Sequence, residues 1–127
     1  GGPGYQFGEE NLPDEGENNY PAGTVAMANA GTGTNGSQFF LVYKDTTLPA
    51  NYTIFGTVTK GLDVVQKVAD TGSDDSNGTG DGKPKLPITI KTATIGKVRL
   101  RNWFQRPVSV IARATPRPEK PQLRRIP

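Results

Sequence analysis

Glycine and proline interrupt this chain so often that only short structural elements fit between them. The chain has 16 glycines and 11 prolines among its 127 residues, and both types disrupt the interior of helices. Between these interruptions lie runs rich in β-branched and aromatic residues, which favour strands. The clearest runs cover residues 24–29, 38–43, 52–59 and 88–95. We therefore predict a mainly β fold.

One segment has the spacing of an amphipathic helix instead. Leu62, Val65 and Val68 recur at helical intervals, and Gly72 follows where a helix would end. The segments at 8–23 and 73–84 combine glycine or proline with acidic and amide side chains, which indicates exposed loops. The sequence thus predicts several strands and one short helix.

The charge of the chain divides sharply near residue 96. Residues 1–95 contain 6 basic and 11 acidic side chains, a net charge of −5, whereas residues 96–127 contain 9 basic side chains and only Glu119, a net charge of +8. We therefore predict a body at 1–95 and a basic, proline-rich extension at 96–127, for which we expect disorder or docking through Trp103, Phe104 and residues 108–111. We do not expect contact of this extension with nucleic acid or membrane, although basic and aromatic side chains suit both.

Several classes of chemistry are excluded by composition. The chain has no cysteine and no histidine, so it has no disulfide, zinc finger, thiol nucleophile or histidine-based triad. The glycine-rich segment 31–36 lacks the Gly-Lys-Ser/Thr ending of a phosphate loop. The loop containing Asp74 and Asp75 lacks the glutamate of a calcium-binding loop. We predict no metal and no cofactor, and no apolar run approaches the roughly 18 residues of a membrane span.

Three sequence blocks occur in a distinctive order. Residues 27–31 read M-A-N-A-G, residues 34–40 read T-N-G-S-Q-F-F, and residues 55–58 read F-G-T-V. Their order and spacing resemble those of the cyclophilin family of peptidyl-prolyl cis-trans isomerases. The motifs are similar to those of bacterial members. The similarity covers residues 1–95.

The resemblance implies a β-barrel fold from which an N-terminal part of the family's domain is missing. Family members form an antiparallel β-barrel of eight strands capped by two helices, with the substrate groove outside the barrel. Their catalytic arginine lies in an F-H-R segment, and further groove residues lie in a Q-G-G-D segment; neither sequence occurs here. We therefore expect a barrel incomplete at its N-terminus, assign no catalytic residue, and expect weak or absent activity in this chain.

The resemblance also implies six substrate-binding positions: Ala28, Asn29, Gln38, Phe40, Leu48 and Tyr52. Phe40 and Leu48 would hold the proline ring of the substrate, and Asn29 would engage its backbone. Phe39 and Phe40 are adjacent in a predicted strand and should face opposite ways, so that one of them only packs in the core. Thr47 stands where drug-binding members carry tryptophan, so we do not expect tight binding of cyclosporin-type ligands.

The implied reaction suits this composition. Rotation about an X-Pro bond forms no covalent intermediate, and its barrier of about 18–20 kcal/mol comes from amide resonance alone. The expected partners are proline-containing peptides or unfolded proteins. Two alternatives stay open, namely a proline-binding module without catalysis and a truncated product with a functionless extension. We expect a cytoplasmic location, with an extracytoplasmic one left open, and the sequence indicates no oligomeric state.

Overall fold

The strands and the helix of this computed structural model are short, as the glycine and proline content predicts. The structure describes residues 2–96 and the strand at 110–114. The elements follow in the order β1 (Thr24–Met27), β2 (Phe39–Leu41), β3 (Ile54–Thr57), α1 (Leu62–Asp70), β4 (Ile88–Ala93) and β5 (Val110–Ala114). The predicted mainly β fold with one short helix is confirmed. Among the described residues no helix is long and apolar enough to cross a membrane.

Strand β3 begins at Ile54, later than the predicted run 52–59, because a flanking residue makes other hydrogen bonds. Tyr52 lies in the predicted run 52–59, but its backbone N–H donates to the side-chain hydroxyl of Tyr20 at 3.0 Å. This group is therefore not available to a neighbouring strand. Local propensity does not reveal such a competing side-chain partner.

Strand β1 is the centre of a three-stranded antiparallel sheet with the order β2-β1-β3. Ala26 on β1 lies opposite Phe40 on β2 and Ile54 on β3. A β-bulge between Val25 and Ala26 shifts the register with β3. Because β1 is flanked on both sides, Thr24, Val25 and Ala26 are all buried. The central position of β1 explains why its three buried side chains are small or β-branched.

The core lies on one face of this sheet. Tyr20, Ala26 and Val42 are buried there, and four half-buried apolar side chains pack against them: Phe40, Leu48, Tyr52 and Ile54. On the other face, the rings of Phe39 and Phe55 pack edge to face with their centroids 6.2 Å apart. The prediction that Phe39 and Phe40 face opposite ways is confirmed.

Glycines with left-handed backbone angles flank helix α1 on both sides. Gly61 has φ 87° and Gly72 has φ 74°, and the N–H of Gly72 donates to the carbonyl of Ala69 at 2.9 Å. This is the geometry expected of a glycine just beyond a helix C-terminus. The side chain of Gln66 donates to the backbone carbonyl of Tyr43 at 3.2 Å, which attaches the helix to the chain that follows β2.

The second sheet joins the two sequence regions of opposite charge. Strand β4 belongs to the acidic body and pairs antiparallel with β5 of the basic extension, with Ile88 opposite Ala114 and Ala93 opposite Val110. The predicted boundary at residue 96 stays a prediction. The segment containing Trp103 and Phe104 and the residues after 114 lie outside the described part.

The acidic loop after α1 is held together by its own carboxylates. Asp74 accepts a hydrogen bond from the N–H of Ser76 at 3.0 Å, and Asp75 accepts one from the hydroxyl of Ser73 at 2.8 Å and one from the N–H of Gly80 at 2.9 Å. Hydrogen bonds from Ser76 and Ser73 lower the pKa of Asp74 and Asp75, respectively. These carboxylates organise a turn, and the described residues contain no cluster of three metal-ligating side chains.

The backbone of Gly23 provides a test of the sheet. Gly23 is buried with φ +90°, and its carbonyl accepts a hydrogen bond from the N–H of Val58 at 2.7 Å. We expect Gly23→Ala to lower the free energy of unfolding by about 1–2 kcal/mol, because an L side chain is strained in this conformation. Gly8→Ala is the control, since a Cβ there meets no atom within 4 Å. Urea denaturation showing equal stability of the two variants would contradict this account.

Candidate functional site

Three of the predicted site residues form an apolar patch over the core. Phe40 lies on β2, and Leu48 and Tyr52 lie in the connection between β2 and β3. The rings of Phe40 and Tyr52 pack edge to face with centroids 5.4 Å apart and an interplanar angle of 89°. All three side chains are half-buried, so each packs on the core and keeps part of its surface accessible. We call Phe40, Leu48 and Tyr52 the cup.

Tyr20 holds Tyr52 in place from inside the core. Its hydroxyl accepts a hydrogen bond from the N–H of Tyr52 at 3.0 Å and donates one to the carbonyl of Tyr52 at 3.1 Å. The rings of the two tyrosines also pack edge to face at 6.0 Å. Burial raises the pKa of Tyr20, because the phenolate would lose its hydration. The hydroxyl therefore stays protonated and keeps both hydrogen bonds.

Leu48 is fixed by a side chain that acts on its backbone. The amide of Asn19 donates to the carbonyl of Leu48 at 2.7 Å and accepts from the N–H of Leu48 at 3.0 Å. Close by, the carboxylate of Glu15 accepts from the N–H of Ala50 at 3.0 Å. Polar side chains thus set the path of the chain that carries two of the three cup residues.

The other three predicted site residues line a cleft of about 750 Å³. Its walls come from residues 2–6, residues 28–30 and residues between 34 and 38, and they include Ala28, Asn29 and Gln38. No side chain of this lining carries a charge. The cleft therefore offers hydrogen bonds and small apolar surfaces rather than ion pairs.

The cup and the cleft are joined by backbone and side-chain contacts. Gln38 and Phe40 lie two residues apart at the start of β2, and the carbonyl of Gln38 accepts from the N–H of Ala28 at 3.0 Å. The side chain of Asn29 donates to the carbonyl of Asn51, next to Tyr52, at 2.9 Å. The structure thus brings all six predicted positions into one connected region, while their roles in binding stay predictions.

Comparison with known proteins identifies the family. The sequence model of the cyclophilin type peptidyl-prolyl cis-trans isomerases matches residues 2–95. The chain belongs to this family. It is 46% identical over 105 residues to a probable peptidyl-prolyl cis-trans isomerase B of Mycobacterium tuberculosis, which covers 75% of this chain and 33% of that protein. It is also 41% identical over 99 residues to the peptidyl-prolyl cis-trans isomerase A of Mycobacterium tuberculosis, covering 75% of this chain and 50% of that one. The chain therefore spans between a third and a half of these relatives.

One wall of the cleft in this cyclophilin-type chain is an arm that precedes β1. Phe7 and Asn35 exchange two backbone hydrogen bonds of 3.0 and 3.2 Å, and the carboxylate of Glu9 accepts from the N–H of Gly33 at 2.7 Å. Asn35 is fully buried and its amide donates to the carbonyl of Gly8 at 3.2 Å and to the hydroxyl of Thr53 at 3.3 Å. The arm therefore has a defined position relative to the cleft.

Sequence reasoning missed the residues that support the site. Asn35 lies within the glycine-rich start of the second recognised block and Tyr20 lies in the predicted loop at 8–23, where a polar or amphipathic side chain is expected to face water. Their burial depends on partners that are distant in sequence, such as Tyr52. For Asn35 the sequence offers one signal, which is its position between the predicted binding residues Asn29 and Gln38.

The hydroxyl of Tyr20 gives a testable stability effect. We expect Tyr20→Phe to lower the free energy of unfolding by about 1–3 kcal/mol, since it leaves the N–H and carbonyl of Tyr52 without their partner. Tyr5→Phe is the control, because Tyr5 is 64% exposed. Chemical denaturation measures both variants. A loss of stability in Tyr5→Phe as large as in Tyr20→Phe would contradict the assigned hydrogen bonds.

The raised pKa of Tyr20 predicts a further effect at alkaline pH. In the unfolded chain a tyrosine loses its proton at about pH 10, whereas the folded chain retains the Tyr20 proton to higher pH. The stability linked to this group is therefore fully present below about pH 10 and is lost as the pH rises towards the folded pKa. The difference in unfolding free energy between the parent chain and Tyr20→Phe should shrink as the pH rises above about 10. A difference that stays constant would contradict the prediction.

Proposed function

We propose that this chain binds proline-containing peptides, with the proline ring in the cup and the preceding residues along the cleft. The observation that supports this most directly is the junction of the two parts, in which Asn29 bonds to the carbonyl beside Tyr52 at 2.9 Å. A peptide that enters the cleft beside Ala28 and Gln38 is thereby led to the exposed edge of Phe40. The uncharged lining suits a peptide backbone, which carries donors and acceptors but no charge.

The geometry suits rotation about an X-Pro bond in two respects. An apolar cup can grip the pyrrolidine ring, while amide side chains such as that of Gln38 can hold the flanking backbone. Catalysis further requires that the twisted amide be bound more tightly than either planar form, which a donor near the proline nitrogen would achieve as this atom becomes pyramidal. The cup and the cleft serve binding without supplying a cationic donor.

We infer slow turnover by this chain from the cations of residues 2–96, the continuous part that the structure describes with its side chains. Residues 2–96 contain no arginine, and their six cations are all lysines. None of these lysines lines the cleft or belongs to the cup. The relatives are named isomerases, and the chain covers at most half of those compared. Proline binding with weak isomerisation is therefore the function we propose for this chain.

Exchange spectroscopy on an Ala-Pro peptide tests turnover. We expect the 127-residue chain to accelerate cis-trans exchange by less than about tenfold over the uncatalysed rate, which corresponds to tens to hundreds of seconds. Acceleration by several orders of magnitude would overturn slow turnover and leave the binding proposal intact. The absence of saturable shifts at the amides of Phe40 and Asn29 would overturn the binding proposal.

A matched pair of variants separates binding from packing. We expect Phe40→Ala to weaken peptide binding by about tenfold or more, because it removes an apolar surface from the cup. Phe55→Ala removes the same ring from the opposite face of the sheet, where it packs on Phe39, and should leave peptide affinity unchanged. Titration followed by NMR measures both. Equal losses of affinity would place the proline ring elsewhere.

A further inference from the structure

An acidic segment runs beside both parts of the groove. Residues 9–17 contain five carboxylates and no basic side chain. At one end, Glu9 accepts from the N–H of Gly33 in the loop that leads into the cleft wall, at 2.7 Å. Further along, Glu15 accepts from the N–H of Ala50, between two cup residues, at 3.0 Å. The segment therefore passes from the cleft to the cup, and we call residues 9–17 the acidic rim.

Three carboxylates of the acidic rim face solvent. Glu10, Asp14 and Glu17 are exposed, and among the described residues none of their carboxylates forms a hydrogen bond or an ion pair. Glu9 and Glu15, by contrast, use a carboxylate oxygen to hold the backbone. The rim thus separates into two carboxylates that position the groove and three whose charge is exposed to solvent.

Within the part of the chain that the structure describes, the walls of the groove do not neutralise this charge. The cleft lining carries no charged side chain. The connection at 42–53, which carries two of the cup residues, contains one lysine and one aspartate, Lys44 and Asp45, whose charges cancel. A groove with an uncharged floor and an acidic rim attracts cations, and it concentrates positively charged ligands near its surface.

We propose that the groove selects X-Pro segments that carry arginine or lysine beside the proline, and that the acidic rim determines this selectivity. The inference rests on the proposed function, because it concerns the ligand of the same groove. The proline ring occupies the cup in every ligand, while the flanking cation lies within the field of Glu10, Asp14 and Glu17. Since these groups are exposed, the selectivity is moderate and depends on salt.

The basic extension of this chain contains segments of the proposed kind. Arg117 precedes Pro118, and Lys120 precedes Pro121. A synthetic peptide with the sequence of residues 115–121 is therefore a ligand that the chain itself suggests, alongside designed peptides.

Three matched peptides test the selectivity on the full chain. They have the sequence Ala-Xaa-Pro-Xaa-Ala with blocked ends, where Xaa is arginine, alanine or glutamate. In a buffer of about 0.1 M ionic strength, where charges act over about 10 Å, we expect the arginine peptide to bind about three to ten times more tightly than the alanine peptide. The glutamate peptide should bind more weakly than both. At about 1 M salt, where the screening length falls to about 3 Å, the three dissociation constants should converge.

Two triple variants locate the origin of the effect. Glu10→Gln, Asp14→Asn and Glu17→Gln together remove three charges from the acidic rim, and we expect the preference for arginine to fall to less than about twofold. Asp63→Asn, Asp70→Asn and Asp81→Asn together remove three exposed charges from α1 and the loop after it, and should leave the preference unchanged. The peptide of residues 115–121 should lose affinity in the first variant only.

The outcomes separate the two proposals. If the three peptides bind with equal affinity at low salt, the selectivity is refuted while proline binding stands. If none of them binds, both the proposed function and the selectivity fail. If both triple variants reduce the preference equally, net charge rather than the acidic rim is responsible, and the assignment to this segment is wrong.

Discussion

The hydroxyl of Tyr20 connects the core of this molecule to its candidate site. It is fully buried, and it hydrogen-bonds both backbone groups of Tyr52. A buried hydroxyl without partners would be costly, so the position of the Tyr52 backbone is tied to the position of the core. The ring of Tyr52 in turn packs on Phe40. The shape of the cup is thus a consequence of satisfying one polar atom inside a small apolar core.

Side chains alternate along β2, so each face of the sheet receives a different aromatic ring with a different role. Phe40 joins the core and the cup, while Phe39 packs on Phe55 on the opposite face. A slip of one residue in the pairing with β1 would exchange these two rings. The antiparallel pairing of Ala26 with Phe40 is therefore as important for the site as the identity of the aromatic residue itself.

The sequence predicted the strands of the body and the helix, because these depend on local propensity, whereas the six site positions, drawn from blocks that resemble a known family, stay predictions. It did not predict the contacts of Tyr20, Asn19 or Asn35. Each of these side chains bonds to backbone that is 27 or more residues away, and no local pattern distinguishes such a residue from a solvated loop residue. The sequence left disorder and docking through residues 108–111 both open for the extension, and its composition did not reveal the pairing of β5 with β4.

The contrast between the two kinds of acidic side chain explains how a loop can serve both structure and recognition. Glu9 and Glu15 cap backbone N–H groups in the walls of the groove, so their charge is used inside the molecule. Glu10, Asp14 and Glu17 occupy the same segment, and its path past the groove is set by those two bonds. The same two bonds therefore also keep these exposed charges near the cup. In a site whose lining is uncharged, charge on the surrounding loop is the remaining means of distinguishing one proline-containing segment from another.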